Sequence, residues 1–335
     1  MKDNKWMVYI QCSTFNHAPY ITDAMNGFTM QQTDFPFVCA IVDDASTDGE
    51  PEVIRKYLQD NFDLEDKSVV RNEETDDYVL CFAQHKTNKN CYFAVLWLKY
   101  NHYSIKKSKK QYYREWENNA KYIAICEGDD YWIDSQKIRK QVDFLEHNSE
   151  YNMIYTRYKE NHNGEIIEGA FNLLDGYCLE SYLRRKGFIP TASVMYRADF
   201  VFERDYAHLN LPMGDVPTWI QLMHNAPIKL LDDITTVYRI LPESASHSRS
   251  FLKTMFFLSK ACEIRHFFAL KYGYNDVAQE IGKEQRRITL LIDLYNGNFM
   301  KFVKSSPMKY GIGLKTMFEI LYKRYKDKFS ILQCQ

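Results

Sequence analysis

The chain predicts an α/β fold in which parallel strands are flanked by helices and followed by a helical C-terminal extension. Two patterns carry this. Apolar runs at 6–12, 37–42 and 122–126 each end in a polar or acidic turn and then give way to helical spacing, the alternation expected of a parallel sheet buried on both faces. From about residue 253 onward the spacing is helical. The 335 residues, 45% hydrophobic and 26% charged, can bury one large core or two modest ones.

The elements follow in order. Trp6-Met7-Val8-Tyr9-Ile10-Gln11-Cys12 forms a first strand and leads into Ser13-Thr14-Phe15-Asn16-His17. Pro19 suits a first helical turn, and Ile21, Ala24, Met25 and Phe28 recur at i, i+3, i+4, i+7. Phe37 to Val42 is a second strand, ending in Asp43-Asp44-Ala45-Ser46-Thr47-Asp48-Gly49. Another proline then opens a helix with Val53, Ile54, Tyr57 and Leu58 on one face. The pattern from 68 to 121 is weaker. Val79 to Ala83 is apolar, His85, Asn88 and Asn90 mark a polar turn, and 92–99 reads as helix-like. Lys106, Lys107, Lys109 and Lys110 make a basic loop, either a solvated face or a phosphate contact. Tyr122 to Cys126 is the third strand, and Asp134 is placed to cap a helix with Ile138, Val142 and Leu145 inside.

Glu127-Gly128-Asp129-Asp130 puts three carboxylates within four residues at a strand end. Crowded carboxylates repel, and burying one is unfavourable without a compensating charge. A divalent cation such as Mg²⁺ or Mn²⁺, held by one or two carboxylates plus water and phosphate oxygens, would supply it. A solvated acidic turn is the plain alternative. Three polar or acidic clusters, Ser13 to Asn16, Asp43 to Asp48 and Glu127 to Asp130, all follow strands, which places them at the carboxyl edge where open parallel sheets bind ligands.

Lys plus Arg number 43 and Asp plus Glu 44, so the net charge of -1 gives no reason to expect nucleic acid. Residues 301–335 are locally basic, with eight Lys/Arg against two acids. Eight cysteines without a CxxC pair read as buried thiols rather than as a disulfide frame or zinc site. Met1 to Lys5 runs into a strand without a secretory segment, and the longest purely apolar run, Phe93 to Leu98, is about six residues. A cytoplasmic protein is the expectation.

Val8 to Asn16 resembles the opening strand of family 2 glycosyltransferases, with Gln32-Thr33 as the pair that follows the first helix. Ile41 to Gly49 resembles the family's Val-Asp-Asp-Gly-Ser-Thr-Asp-Gly segment, and Glu127 to Asp130 resembles its acidic metal-binding motif. The likeness covers residues 6 to about 240. The Glu-Gly-Asp-Asp-Tyr-Trp form and Thr191 to Arg197 look like bacterial members that build surface polysaccharides.

The resemblance implies a GT-A domain over 1–245, with a mixed sheet flanked by helices; the helical spacing and charge beyond it give a helical region over 250–335 with a basic amphipathic tail. It implies an inverting glycosyltransferase using a nucleotide-diphosphate sugar, UDP-linked by preference, with Mn²⁺ or Mg²⁺, and a glycan or lipid-linked acceptor. Carried over by position, Ser13, Asn16 and Asp44 would border the nucleotide. Asp129 would border the ribose and sugar, and Asp130 would ligate the metal. Glu127 replaces the usual first Asp of that motif, leaving its share in the metal open. The family's diphosphate-facing arginine has no clean match. Lys106 and Lys107 are the nearest candidates, and His247 in the 241–250 loop could close over the diphosphate or be an ordinary loop histidine.

Inverting transfer needs a base to take the acceptor's proton. Met213-Gly214-Asp215-Val216-Pro217-Thr218-Trp219 matches the family's Asp before an apolar helix, which makes Asp215 the candidate; a helix N-cap is the plain reading and is compatible with it. Trp132 either stacks on the acceptor sugar or packs in the core. His17 reads as a helix-start residue. A sugar nucleotidyltransferase would need a Gly-rich phosphate loop, which residues 10–20 lack, and an inactive nucleotide-sugar binder is the other rival. In the last helix Phe318, Leu321, Tyr322, Tyr325 and Phe329 share a face, with Lys315, Lys323, Arg324, Lys326 and Lys328 largely off it. Either core packing or peripheral contact with the inner face of a membrane accounts for that pattern.

Overall fold

The computed structural model describes residues 5–169, 172–209, 211–241 and 250–333, with side chains to 327 in the last helix. Strand β1 (Trp6–Thr14), helix α1 (Ile21–Thr29), strand β2 (Phe37–Asp43) and helix α2 (Glu50–Asn61) give the expected alternation. Short β3 (Phe62–Asp63) and β4 (Arg71–Glu74) precede β5 (Tyr78–His85) and β6 (Cys91–Leu98), then α3 (Lys110–Asn118) and β7 (Ala120–Ile125). After β8 (Tyr131–Trp132) come α4 (Lys137–His147), β9 (Met153–His162), β10 (Glu165–Glu168), α5 (Leu179–Leu183), β11 (Met195–Arg197), α6 (Asp215–Asn225) and β12 (Ile228–Arg239). The C-terminal helices are α7 (Phe251–Lys271), α8 (Asn275–Asn296), α9 (Phe299–Lys304) and α10 (Leu314–Gln333).

The result is a mixed α/β fold, one large sheet with helices and a helical C-terminal extension. Its main path is β3-β5-β6-β2-β1-β7-β11-β9-β12-β8. Strands β6, β2, β1 and β7 are parallel neighbours. β11 runs antiparallel to both β7 and β9, and β12 is parallel to β9. Two reversals restore direction, so β12 ends at the same edge of the sheet as β1, β2 and β7.

Segment 92–99 corrects the helix-like expectation, because Cys91–Leu98 is a strand between β2 and β5. A continuous apolar run has no period of its own, and here burial on both faces decides it. Asp134 does not cap α4 directly. Its carboxylate accepts from the Gln136 N–H at 2.8 Å and pairs with Lys140 at 2.8 Å, leaving Gln136 at the cap.

Contacts divide the chain into two compact units. The first contains residues 1–178, 187–201 and 225–240; the second contains 179–186, 202–224 and 241–335. The C-terminal helices thus take in two segments that precede the expected boundary. Ion pairs and hydrogen bonds explain the grouping of the first: Arg184 pairs with Asp276 and Glu280, and Arg265 donates to Leu183 O at 2.9 Å. In the second segment Gln221 accepts from the Glu203 N–H, while Lys271 pairs with Glu203 and Asp205. Phe268, Leu290 and Leu294 are core, whereas Phe256 is 54% exposed.

One core residue is unusual. Lys137 is fully buried, its ammonium 4.2 Å from the Trp132 ring centroid and 2.7 Å from Gln141 Oε1. Burial lowers its pKa to about 7, with Cys126 and Asp134 pulling the other way. An unfolded lysine holds its proton up to about 10.5, so the stability this residue allows is full above that pH and falls as pH drops through 7. Lys137→Met should therefore raise stability in urea unfolding, by on the order of a few kcal/mol below pH 7. The gain should shrink toward pH 10; a gain independent of pH would refute the buried-amine account.

Candidate functional site

The site is built at the carboxyl edge of β2, β1 and β7. Three backbone bonds hold its loops together: Asp44 N–H to Thr14 O at 3.0 Å, Cys126 N–H to Gln11 O at 3.0 Å, and Gly128 N–H to Ser13 O at 3.1 Å. The polar clusters after the three strands are therefore direct neighbours.

A buried glutamate that the sequence reading did not single out braces two of these loops. Glu50, fully buried at the start of α2, accepts from the Thr14 hydroxyl, the His17 N–H (2.8 Å) and the Ser46 hydroxyl (2.8 Å). Asn16, at φ 57°, accepts from the Thr47 N–H at 2.8 Å and donates its own N–H to Ser46 Oγ at 2.8 Å. Asp48 accepts from the Ala18 N–H at 2.9 Å. Ala45 stands where the family pattern has glycine and adopts φ 63°, a left-handed conformation that glycine enters without penalty. Ser13 lies half-buried beside this brace.

Asp44 is 1% exposed, and its carboxylate accepts from the His102 N–H (2.7 Å) and the Tyr103 N–H (3.1 Å), with Lys109 Nζ at 3.3 Å. In this structure it anchors the 101–109 loop. Lys109, rather than Lys106 or Lys107, is the lysine that reaches a strand-end carboxylate. Lys107 instead pairs with Asp77 at 2.8 Å, and Lys106 is exposed at φ 57°. Asp43 is pushed up to about 6 by burial, against the lowering effect of the Ser46 N–H that it accepts at 3.0 Å.

In the acidic motif, Glu127 and Asp129 are half-buried and Asp130 is 3% exposed. Burial, then Asp129 and Glu127, hold the Asp130 carboxyl well above the usual range. Arg239, missed by the sequence reading, ends β12 beside it. Its backbone N–H donates to Asp130 Oδ1 at 2.8 Å, and its guanidinium donates to Asp129 O at 2.6 Å and to Asp23. That guanidinium lies over the Tyr20 and Tyr131 rings, at 5.0 and 4.4 Å. Its signal was available: an arginine closing an apolar run just before the 241–250 loop. His17 Nε2 is 3.9 Å from Asp129 Oδ2, and Nδ1 is 3.2 Å from Thr14 Oγ1.

Among the described residues no three His, Cys, Asp or Glu side chains form a cage for a metal ion. The donors present fit a looser arrangement. Asp130, with Glu127 or Asp129, offers hard oxygens to an ion completed by water and phosphate, and the crowded charge on Asp130 is what such an ion would relieve.

Trp132 is core. It is 2% exposed, donates from Nε1 to Ala192 O at 2.7 Å and meets Phe28 edge-on at 5.0 Å. Asp215 is the first residue of α6, half-buried in the second unit, where burial, and after it the Asp215 charge, raises the Tyr182 hydroxyl well above its ordinary value. His247 lies outside the described residues.

No family model matches the chain. It is 26% identical over 242 residues to uncharacterized proteins of Mycobacterium bovis and Mycobacterium tuberculosis, covering 70% of this chain and 59% of theirs. The chain thus spans under two thirds of the length of these relatives. Among solved structures, Staphylococcus aureus TarS 1–349 with UDP aligns at TM-score 0.45 and 16% identity, covering 77% of this chain and 64% of that one. The mannosyltransferase PcManGT of Pyrobaculum calidifontis, with GDP-Man and Mn²⁺, aligns at TM-score 0.45 and 11% identity over 97% and 88%. Likenesses this weak leave the function to be argued from the site itself.

Gly128 has a steric reason. A Cβ there would lie 2.2 Å from Thr14 Oγ1 and 2.7 Å from Thr14 Cβ, and Glu50 holds that threonine in place. Gly128→Ala should lower stability by about 1–3 kcal/mol in thermal or urea unfolding. Wild-type stability would show that the acidic loop does not rest on Thr14.

Proposed function

We propose that the chain is an inverting glycosyltransferase of the family 2 type, with a GT-A nucleotide-sugar domain that takes a UDP-sugar. The observation that carries this is the joined carboxyl edge of β2, β1 and β7, where the Ser13–Asn16, Asp43–Asp48 and Glu127–Asp130 loops are hydrogen-bonded neighbours. Their sequences follow the family's three motifs in order. In this reading Ser13 and Asn16 border the nucleotide, with Asp44 beside them, and Asp129 faces the ribose and sugar. Arg239 and Lys109 are the cations nearest the strand-end carboxylates and join Lys106 and Lys107 as candidates for the diphosphate. A bound Mn²⁺ or Mg²⁺, held by Asp130 with Glu127 and water, would neutralise the departing diphosphate.

The chain's own part in the reaction is proton transfer and orientation. Asp215 accepts the proton of the acceptor hydroxyl as that oxygen bonds to the anomeric carbon, and the bond from that carbon to the diphosphate oxygen breaks in the same step. Attack opposite the leaving group inverts the centre. General base catalysis of this kind contributes roughly 10² to 10⁴-fold. The acceptor is a glycan or lipid-linked sugar of a bacterial surface polysaccharide, and the reaction takes place on the cytoplasmic side.

Two measurements test this reading. In thermal-shift assays with UDP, GDP, CDP and dTDP, stabilisation should appear for UDP and only with Mn²⁺ or Mg²⁺ present; no shift with any of them would reject the donor site. Asp215→Asn should lower turnover about 10² to 10⁴-fold with UDP binding intact, whereas Asp130→Ala should weaken the metal-dependent UDP shift itself. Unchanged turnover in Asp215→Asn would remove that residue as the base.

A further inference from the structure

The C-terminal helices bury one apolar face and expose another. On the inner side Met317, Ile320 and Leu321 of α10 pack on a small core of Leu290, Leu294, Phe302 and Ile312. The single aromatic face suggested by the sequence is therefore divided, because Leu321 turns inward while Phe318 and Tyr322 do not. Leu314, Phe318 and Tyr322 follow at four-residue steps and are 63%, 71% and 61% exposed. Preceding segments add Met300 (71%), Val303 (67%) and Met308 (69%). Arg324 lies 5.6 Å from the Phe299 ring centroid, which ties α9 to α10.

Large apolar side chains exposed in such number mark a surface made to be covered, and the surrounding charge indicates by what. Residues 299–327 carry seven Lys/Arg against two acids, Glu319 and Asp327. Lys304, Lys309, Lys315 and Lys326 are exposed. At about 100° per residue, Lys315 and Lys326 lie just beyond Tyr322 around α10, beside the apolar stripe rather than across from it. Aromatic and aliphatic residues bordered by lysines suit the boundary between acyl chains and anionic headgroups, where rings and aliphatic groups enter and ammonium groups stay at phosphate level. No helix among the described residues is long and apolar enough to cross a membrane, so the contact is with one face.

We propose that α9, the following turn and α10 form a docking surface for an anionic phospholipid membrane. The proposal does not depend on the donor-site reading. Its test is flotation of the full chain with vesicles of phosphatidylcholine alone or mixed with phosphatidylglycerol. Binding should require phosphatidylglycerol and weaken as salt rises. It should fall by about 100-fold or more in the triple variant Lys304→Glu/Lys309→Glu/Lys315→Glu, and should fall also in Phe318→Ser/Tyr322→Ser. Both sets lie at exposed positions, and wild-type circular dichroism and urea unfolding would show that they fold. The proposal is overturned by no vesicle binding, by wild-type binding indifferent to phosphatidylglycerol, or by binding that neither variant alters. Light scattering that shows a dimer dissolved by Phe318→Ser/Tyr322→Ser would assign the stripe to a second copy and overturn it as well.

Discussion

Negative charge gathered at the ends of three adjacent parallel strands is the constraint on which the rest of this structure turns. Asp43, Asp44, Glu50 and Asp130 are all nearly or fully buried there. Such groups persist only where donors or cations face them. The chain meets the demand in three ways. Backbone N–H groups and a lysine serve Asp44, hydroxyls and an N–H serve Glu50, and the Arg239 N–H serves Asp130. The balance is least complete at Asp130, where burial, Asp129 and Glu127 outweigh what the Arg239 N–H and guanidinium offset.

That imbalance links the fold to its proposed chemistry. The parallel strands bring the loops together, Glu50 and Asn16 lock them to one another, and Arg239 arrives from the far side of the sheet because two antiparallel steps return β12 to the same edge. A rigid, under-neutralised carboxylate beside an arginine is suited to an incoming ion and phosphate group, since the surroundings are arranged before binding. The loops need not reorganise to create that field.

Much of this was legible in the chain. Apolar runs followed by helical spacing located β1, β2, β7 and the helices after β1 and β2, because strands buried on both faces leave an unbroken signature. The acidic clusters stood out by composition alone. What stayed hidden was set by partners distant in sequence. Cys91–Leu98 became a strand because β2 and β5 flank it, and nothing local distinguishes that from a buried helix. Glu50 looked like an ordinary first-turn acid until Thr14 and His17 folded against it. Arg239 lies 109 residues from Asp130, a separation that no window of local pattern can span. Trp132 read equally as an acceptor contact or as core, and Phe28 and Ala192 enclose it in the core.

Lys137 and Asp43 place two pH-dependent costs in the core, each confined to its own range. Asp43 supports the fold while protonated, and that support fades as pH rises through about 6. Lys137 supports it while neutral, and that support fades as pH falls through about 7. Asp43 accrues its cost from its ordinary 3.8 up to about 6 and Lys137 from 10.5 down to about 7, so between about 6 and 7 the interior carries both ionised groups. Stability therefore dips near neutrality, where both penalties stand together, and recovers toward acid through Asp43 and toward alkali through Lys137.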